Sequence, residues 1–137
     1  MNTTPSDPSH HAIILFAHGS RDPLWRLPIE AVADQIRHQS PGTQVMCAYL
    51  ELTEPDLPVC VQILSQRGVA QISVLPMFLG IGKHAREDLP LLMSEIQAAY
   101  PQLQFELRKA IGEEPALTQA MAQIALQSPQ FATHSKS

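Results

Sequence analysis

The chain has 137 residues, of which 45% are hydrophobic and 16% are charged. This length favours a single domain with a core of its own, and the balance is typical of a compact α/β domain rather than of a disordered segment. The formal net charge is −4, and no run of Lys or Arg alternates with aromatic residues, which argues against binding to nucleic acid.

The ends of the chain and its cysteines suggest a cytoplasmic protein that does not interact with a membrane. No apolar stretch is long enough to span a bilayer, and the first residues, MNTTPSDPSHH, do not have the pattern of a signal peptide. Residues 1–11 are polar and are predicted to form a disordered tail, in which the His10–His11 pair is interpreted as incidental and its role stays open. Cys47 and Cys60 have neither CxxC nor zinc-site spacing, so both are predicted to be buried free thiols in a reducing compartment.

Apolar patterning divides the rest of the chain into strands that alternate with helices. Short continuous apolar runs predict the strands, and apolar stripes at helical spacing, bounded by Gly or Pro, predict the helices. In chain order, the predicted elements are strand 12–17, helix 24–38, strand 45–50, helix 55–68, strand 72–78, helix 84–100, strand 103–107 and helix 115–126.

This alternation predicts the fold class. Strands joined by helices form a parallel sheet with right-handed crossovers. We therefore predict a single small doubly wound domain of flavodoxin-like type, with a four-stranded parallel sheet flanked by helices, over residues 12–127. Residues 128–137 are predicted to be a frayed end.

Three residues with metal-binding side chains follow three of the predicted strands. His18 follows the first strand, Glu51 follows the second, and His84 comes after the third, at the start of a helix. In open parallel sheets, ligands bind beyond the carboxyl ends of the strands, where the strand order reverses. Two imidazoles and one carboxylate suit a divalent transition metal and leave coordination positions open for catalysis. The sequence therefore predicts a metal site at this edge.

Other kinds of site at the same edge have less support. Gly80 and Gly82 form a turn before a helix N-terminus, which is suited to phosphate, but neither GxGxxG nor GxxxxGK[ST] is present. Ser20 near His18 suggests a hydrolase, but there is no GxSxG motif, and a hydroxyl that closes the turn is the simpler interpretation. Two alternatives remain open: a metal-delivery protein without catalysis, and a small phosphate-handling enzyme.

Three segments resemble the small class II chelatases, the sirohydrochlorin cobaltochelatases of the CbiX type and their SirB-type ferrochelatase relatives. They are LFAHGSRDP, YLELTEPDLP and VLPMFLGIGKHAREDLP. The resemblance implies a chelatase-like fold that inserts Co²⁺, Fe²⁺ or Ni²⁺ into sirohydrochlorin or a close precursor. The metal would be a substrate, and no cofactor would be retained. By this resemblance, His18 and His84 are the metal-binding histidines and Glu51 is the auxiliary acidic ligand.

The resemblance also implies a substrate-binding set and a homodimer, since short members of this family pair. Sirohydrochlorin carries many carboxylates, and basic side chains that flank the two histidines are expected to meet them. The predicted substrate-binding residues are Ser20, Arg21, Gly80, Gly82, Lys83 and Arg86. The two imidazoles are expected to converge within about 4.5 Å, as two ligands of one ion do. The dimer interface is expected near the same edge.

Overall fold

The computed structural model describes residues 10–131, and its elements confirm the predicted alternation. They are β1 His11–Ala17, α1 Leu27–Gln39, β2 Gln44–Tyr49, α2 Leu57–Gln66, β3 Gln71–Pro76, α3 Lys83–Ala99, β4 Gln104–Leu107, a 3-10 turn at Ile111–Glu113, and α4 Pro115–Ala125. Residues 1–9 of the predicted tail and residues 132–137 of the predicted frayed end lie outside the described part of the chain.

Most element boundaries differ from the prediction by one to three residues, and two of these differences have clear reasons. His11 belongs to β1 and not to a tail, because it pairs with Gln71 of β3. Helix α1 begins at Leu27 and not at residue 24, because Asp22 forms a turn before it. The Asp22 carboxylate accepts a hydrogen bond from the backbone N–H of Leu24 at 2.9 Å. The backbone carbonyl of Asp22 accepts another from the backbone N–H of Trp25 at 3.0 Å. Such a turn competes with the helix for the same backbone groups.

The sheet has the order β2-β1-β3-β4, and every neighbouring pair of strands is parallel. This topology confirms the doubly wound prediction. The chain leaves β1 toward β2 on one side and returns to β3 on the other, so the strand order reverses beside β1. The carboxyl ends of these three strands therefore meet at one edge, where a crevice for ligands forms.

Helices cover the two faces of the sheet unequally. On one face, α2 and α3 bury the larger core, which includes Ile14, Leu64 and Val74. On the other face, α1 contributes Ala33 to a smaller cluster around Leu15. Helix α4 contributes no buried residue at all. No helix within residues 10–131 is long and apolar enough to cross a membrane.

Both cysteines are free thiols, as predicted. Cys60 is fully buried in the larger core, and this burial raises the pKa of its thiol to about 12. Burial also raises the pKa of the half-buried Cys47 thiol. Since the thiolate is the form that binds metals and attacks electrophiles, neither cysteine is suited to the chemistry of the site.

Candidate metal site

The structure brings together two of the three predicted ligands. His18 follows β1 directly, and Glu51 lies two residues after the end of the adjacent β2. His18 Nε2 lies 3.3 Å from Glu51 Oε2, with the two side chains 58% and 55% exposed. One nitrogen and one oxygen donor therefore stand side by side at the open edge. Such a spacing suits two ligands of one ion, since each binds at about 2.0–2.2 Å.

The third predicted ligand is separate from this pair. His84 is an exposed residue in the first turn of α3, after the turn that leaves β3. Within residues 10–131, no three His, Cys, Asp or Glu side chains form a group that could hold a metal ion. The expected set of His18, Glu51 and His84 is therefore not assembled as a single ligand group. An exposed side chain on a helix end has little packing to hold it in one orientation.

A close backbone contact fixes the relative position of His18 and Glu51. The Glu51 N–H donates to the His18 carbonyl at 3.1 Å, directly after the Leu50 N–H donates to Ala17 at 2.9 Å. Between them, Gly19 has φ +102°, and a Cβ built at this position would lie 1.8 Å from the Glu51 carbonyl oxygen. Only glycine accommodates both the left-handed backbone and the close approach.

Thr53 adds a second connection between the two loops. Its hydroxyl accepts a hydrogen bond from the Ser20 N–H at 3.1 Å and donates one to the Ser20 carbonyl. The Ser20 hydroxyl accepts from the Asp22 N–H at 3.1 Å, so it closes the turn. Gly19 and Thr53 were missed by the sequence analysis. Both lie inside segments of the family resemblance, but the contact that gives them a role joins residues more than 30 positions apart.

The predicted substrate-binding residues lie around this edge without forming one cluster. Arg21 and Lys83 are exposed, and the Arg86 guanidinium reaches the Ile81 carbonyl at 3.5 Å. Gly80 and Gly82 are exposed as well, and a Cβ at either would meet no atom within 4 Å. Three exposed positive side chains therefore lie in the segments that follow β1 and β3.

Open grooves flank the loop that carries Glu51. One groove of about 520 Å³ is lined by Glu51 itself, with Asp56 and Val59 at the start of α2. Another of about 790 Å³ begins at Ser20 and Arg21 and runs along α1 and β2. Glu51 therefore borders an open groove, and both side chains of the His18–Glu51 pair are more than half exposed.

Known proteins are similar to this chain in sequence and in fold. A model of the CbiX family matches residues 12–128. A protein of Methanopyrus kandleri named sirohydrochlorin cobaltochelatase is 33% identical over 82 residues, which are 60% of this chain and 57% of that protein. The chain thus matches less than two thirds of the length of this relative.

Solved structures give the same result. The structure of a CbiX protein of cobalamin (vitamin B12) biosynthesis from Marinobacter aquaeolei VT8 has a TM-score of 0.73 and 34% identity, covering 84% of this chain and 93% of that one. The sirohydrochlorin chelatase SirB from Bacillus subtilis subspecies spizizenii, in complex with cobalt, has a TM-score of 0.70 and 24% identity. It covers 82% of this chain and 48% of that one, and shows the likeness of fold. By the match over residues 12–128, the chain belongs to the CbiX family.

Proposed function

We propose that this protein inserts a divalent metal ion, Co²⁺, Fe²⁺ or Ni²⁺, into sirohydrochlorin or a related tetrapyrrole. The observation that carries the proposal is the exposed His18–Glu51 pair at the carboxyl ends of β1 and β2, next to the reversal point between β1 and β3, in a chain of the CbiX family. The Methanopyrus kandleri relative, named sirohydrochlorin cobaltochelatase, supports both the substrate and the class of metal. The metal ion is a substrate in this reaction.

Metal insertion requires a partly desolvated ion, open coordination positions, and removal of the two pyrrole N–H protons of the macrocycle. His18 and Glu51 supply one nitrogen and one oxygen donor on one side of an ion. His84 completes the set when its side chain turns toward them. Glu51 is either a third ligand or the base that accepts a pyrrole proton, and its exposure lets it pass that proton to water.

The carboxylates of the tetrapyrrole are expected to meet the positive side chains at the same edge. Arg21 lines the groove that begins at Ser20, two residues after His18, and Lys83 and Arg86 flank His84. Ser20 lies in the same turn as Arg21. Gly80 and Gly82 lie in the turn before α3, whose first residues include Lys83 and Arg86. Guanidinium groups bind carboxylates through paired hydrogen bonds, so Arg21 and Arg86 are expected to orient the macrocycle.

The proposal is tested by mixing the purified protein with sirohydrochlorin and each of the three metals in turn, and following the absorbance of the macrocycle. Insertion faster than the protein-free background supports a chelatase. A metal-delivery protein would bind Co²⁺ but leave that rate at background. A phosphate-handling enzyme would bind phosphate esters and be unaffected by loss of His84.

Glu51→Gln is expected to slow insertion about 10-fold or more while leaving measurable Co²⁺ affinity. The change keeps the shape of the side chain but removes its charge and most of its basicity. Calorimetric titration with Co²⁺ beside the insertion assay separates the two effects. Glu54→Gln, the same change at an exposed position of the same loop, is the control. An unchanged insertion rate in Glu51→Gln would show that this carboxylate has no catalytic role.

We also propose that the protein is a homodimer. The interface was expected near the edge that carries His18 and His84, but the exposed, uncharged surface of α4 favours pairing through this helix instead. This helix of eleven residues, PALTQAMAQIA, has no charged residue and no buried residue, and Met121 and Ile124 are exposed. Helices shorter than about 12–15 residues are marginal in water without tertiary packing. A two-fold interface places the same surface of each copy face to face, and an uncharged helix pairs in this way without repulsion.

Ile124→Lys is therefore expected to shift the protein from dimer to monomer, because it places two like charges in the interface. Sedimentation velocity across micromolar concentrations measures the change. Gln119→Lys adds the same charge on the opposite face of the helix, as judged from 3.6 residues per turn, and is expected to leave the dimer intact. A wild-type protein that sediments as a monomer at all these concentrations would refute the interface.

A further inference from the structure

The turn that precedes His84 and α3 is largely exposed. It runs from the end of β3 to Gly82, and Leu79 at its tip is 69% exposed. At its start, the Met77 N–H donates to the Phe16 carbonyl at 2.7 Å, and the Phe78 ring packs edge-on against Phe16. Beyond Phe78, we expect the position of the turn to depend on contacts with other segments of the chain.

The 3-10 turn Ile111–Glu113 supplies that support through Gly112. The Gly112 N–H donates to the Phe78 carbonyl at 3.0 Å. A Cβ built on Gly112 would lie 1.8 Å from the Leu79 carbonyl oxygen and 2.4 Å from its carbonyl carbon. Gly112 is not among the residues with positive φ, so the requirement for glycine is steric and not conformational. The two backbones touch where any side chain would separate them.

The 3-10 turn is itself held to the domain, so it cannot easily retreat. The Arg108 N–H continues the sheet pairing by donating to the Val74 carbonyl at 2.9 Å. Ala110 is buried, and the Arg108 guanidinium lies 3.5 Å from the Glu114 carboxylate across the turn. A side chain at position 112 would therefore push the turn before α3 rather than the 3-10 turn.

We propose that Gly112 is a positioning residue for His84. The close contact between Gly112 and the Leu79 carbonyl sets the distance between the sheet and the loop that precedes α3. His84 comes directly after this loop, as the second residue of α3. The inference rests on the proposed function, because it assumes that His84 is a metal ligand. It assigns a role to a residue that follows β4, the strand farthest from the His18–Glu51 pair in the sheet.

The test compares Gly112→Ala, His84→Ala and the double variant in Co²⁺ titrations and in the insertion assay. Gly112→Ala is expected to lower the insertion rate about 10-fold or more, since small misplacement of a reacting group costs rates of this order. It is also expected to change the visible absorption of bound Co²⁺. In the His84→Ala background, the same change is expected to cause no further loss. Glu113→Ala, in the same 3-10 turn, is the control, and its insertion rate and Co²⁺ absorption are expected to match those of the wild type.

A second variant covers the case in which Gly112→Ala fails to fold, which thermal unfolding reports. Glu114→Gln weakens the ion pair with Arg108 without adding atoms at Leu79, and is expected to cause a smaller loss that again disappears in His84→Ala. The inference is overturned if Gly112→Ala and Glu114→Gln lower the insertion rate by the same factor in the His84→Ala background as in the wild type. It is also overturned if both variants insert metal at the wild-type rate. If His84→Ala alone keeps wild-type affinity and rate, the proposed ligand set fails instead.

Discussion

His18→Ala and His84→Ala are each expected to lower the rate of metal insertion by more than about 100-fold. Loss of groups that only orient a ligand already costs about 10- to 100-fold in affinity or activity, and loss of the ligand itself costs more. His18 is paired with Glu51 at the carboxyl ends of β1 and β2, so its loss leaves an isolated carboxylate. His84 lies apart in this structure, so its loss tests whether it joins the other two during the reaction.

Isothermal titration with Co²⁺ and the sirohydrochlorin absorbance assay measure both variants. His38→Ala removes an exposed imidazole from the last turn of α1 and is the control for loss of a histidine alone. Weaker Co²⁺ binding in His18→Ala with normal binding in His84→Ala would place His84 in the insertion step rather than in the resting site. A full insertion rate in His84→Ala would refute the mechanism and favour the phosphate-handling alternative.

The fold was accessible from the sequence because its signals are local. The strand AIILFA is a continuous apolar run, as a strand covered on both faces requires, and the helices between the strands have their own stripes and breaks. Alternation alone then restricts the topology to a parallel sheet with right-handed crossovers. The sheet order β2-β1-β3-β4 follows this rule, and it places the residues after β1, β2 and β3 at one edge.

What the sequence could not provide were contacts between distant backbones. Gly19 against Glu51, and Gly112 against Leu79, are steric requirements that appear only once two loops are placed side by side. Convergence of His84 with His18 was likewise expected from strand ends alone. Strand ends fix where a side chain begins, whereas its direction depends on the following turn and on its rotamer. The sequence therefore locates the edge of the site better than its internal geometry.

Helix α4 shows a different limit of apolar patterning. Its sequence predicts a helix, and the structure has one at Pro115–Ala125. A stripe of apolar residues on a helix indicates that another surface covers the helix. It does not indicate whether that surface belongs to the same chain or to a partner. Within the described residues, the rest of the chain leaves no residue of this helix fully buried. We proposed that a second copy of the chain covers α4 because the helix has no charged residue. The sequence already shows this lack of charge, but it points to an interface only once the helix is known to be exposed.

Gly19→Ala is expected to have the largest effect of any substitution outside the metal ligands. Alanine at φ +102° costs about 1–3 kcal/mol in backbone strain, and its Cβ would overlap the Glu51 carbonyl oxygen at 1.8 Å. The His18 and Glu51 loops must then separate. We expect the free energy of unfolding to fall by about 2–4 kcal/mol in total, and the insertion rate by about 100-fold because the two donors move apart.

Gly68→Ala separates these two causes, because Gly68 also has a left-handed backbone, at φ +82°, but a Cβ there meets no atom within 4 Å. Urea denaturation is expected to show only the strain, about 1–3 kcal/mol, with insertion and Co²⁺ affinity at wild-type values. If Gly19→Ala loses no more stability than Gly68→Ala and still binds Co²⁺ normally, the contact with Glu51 does not hold the site. If Gly19→Ala keeps most of its stability but loses Co²⁺ affinity, the contact serves the metal site more than the fold.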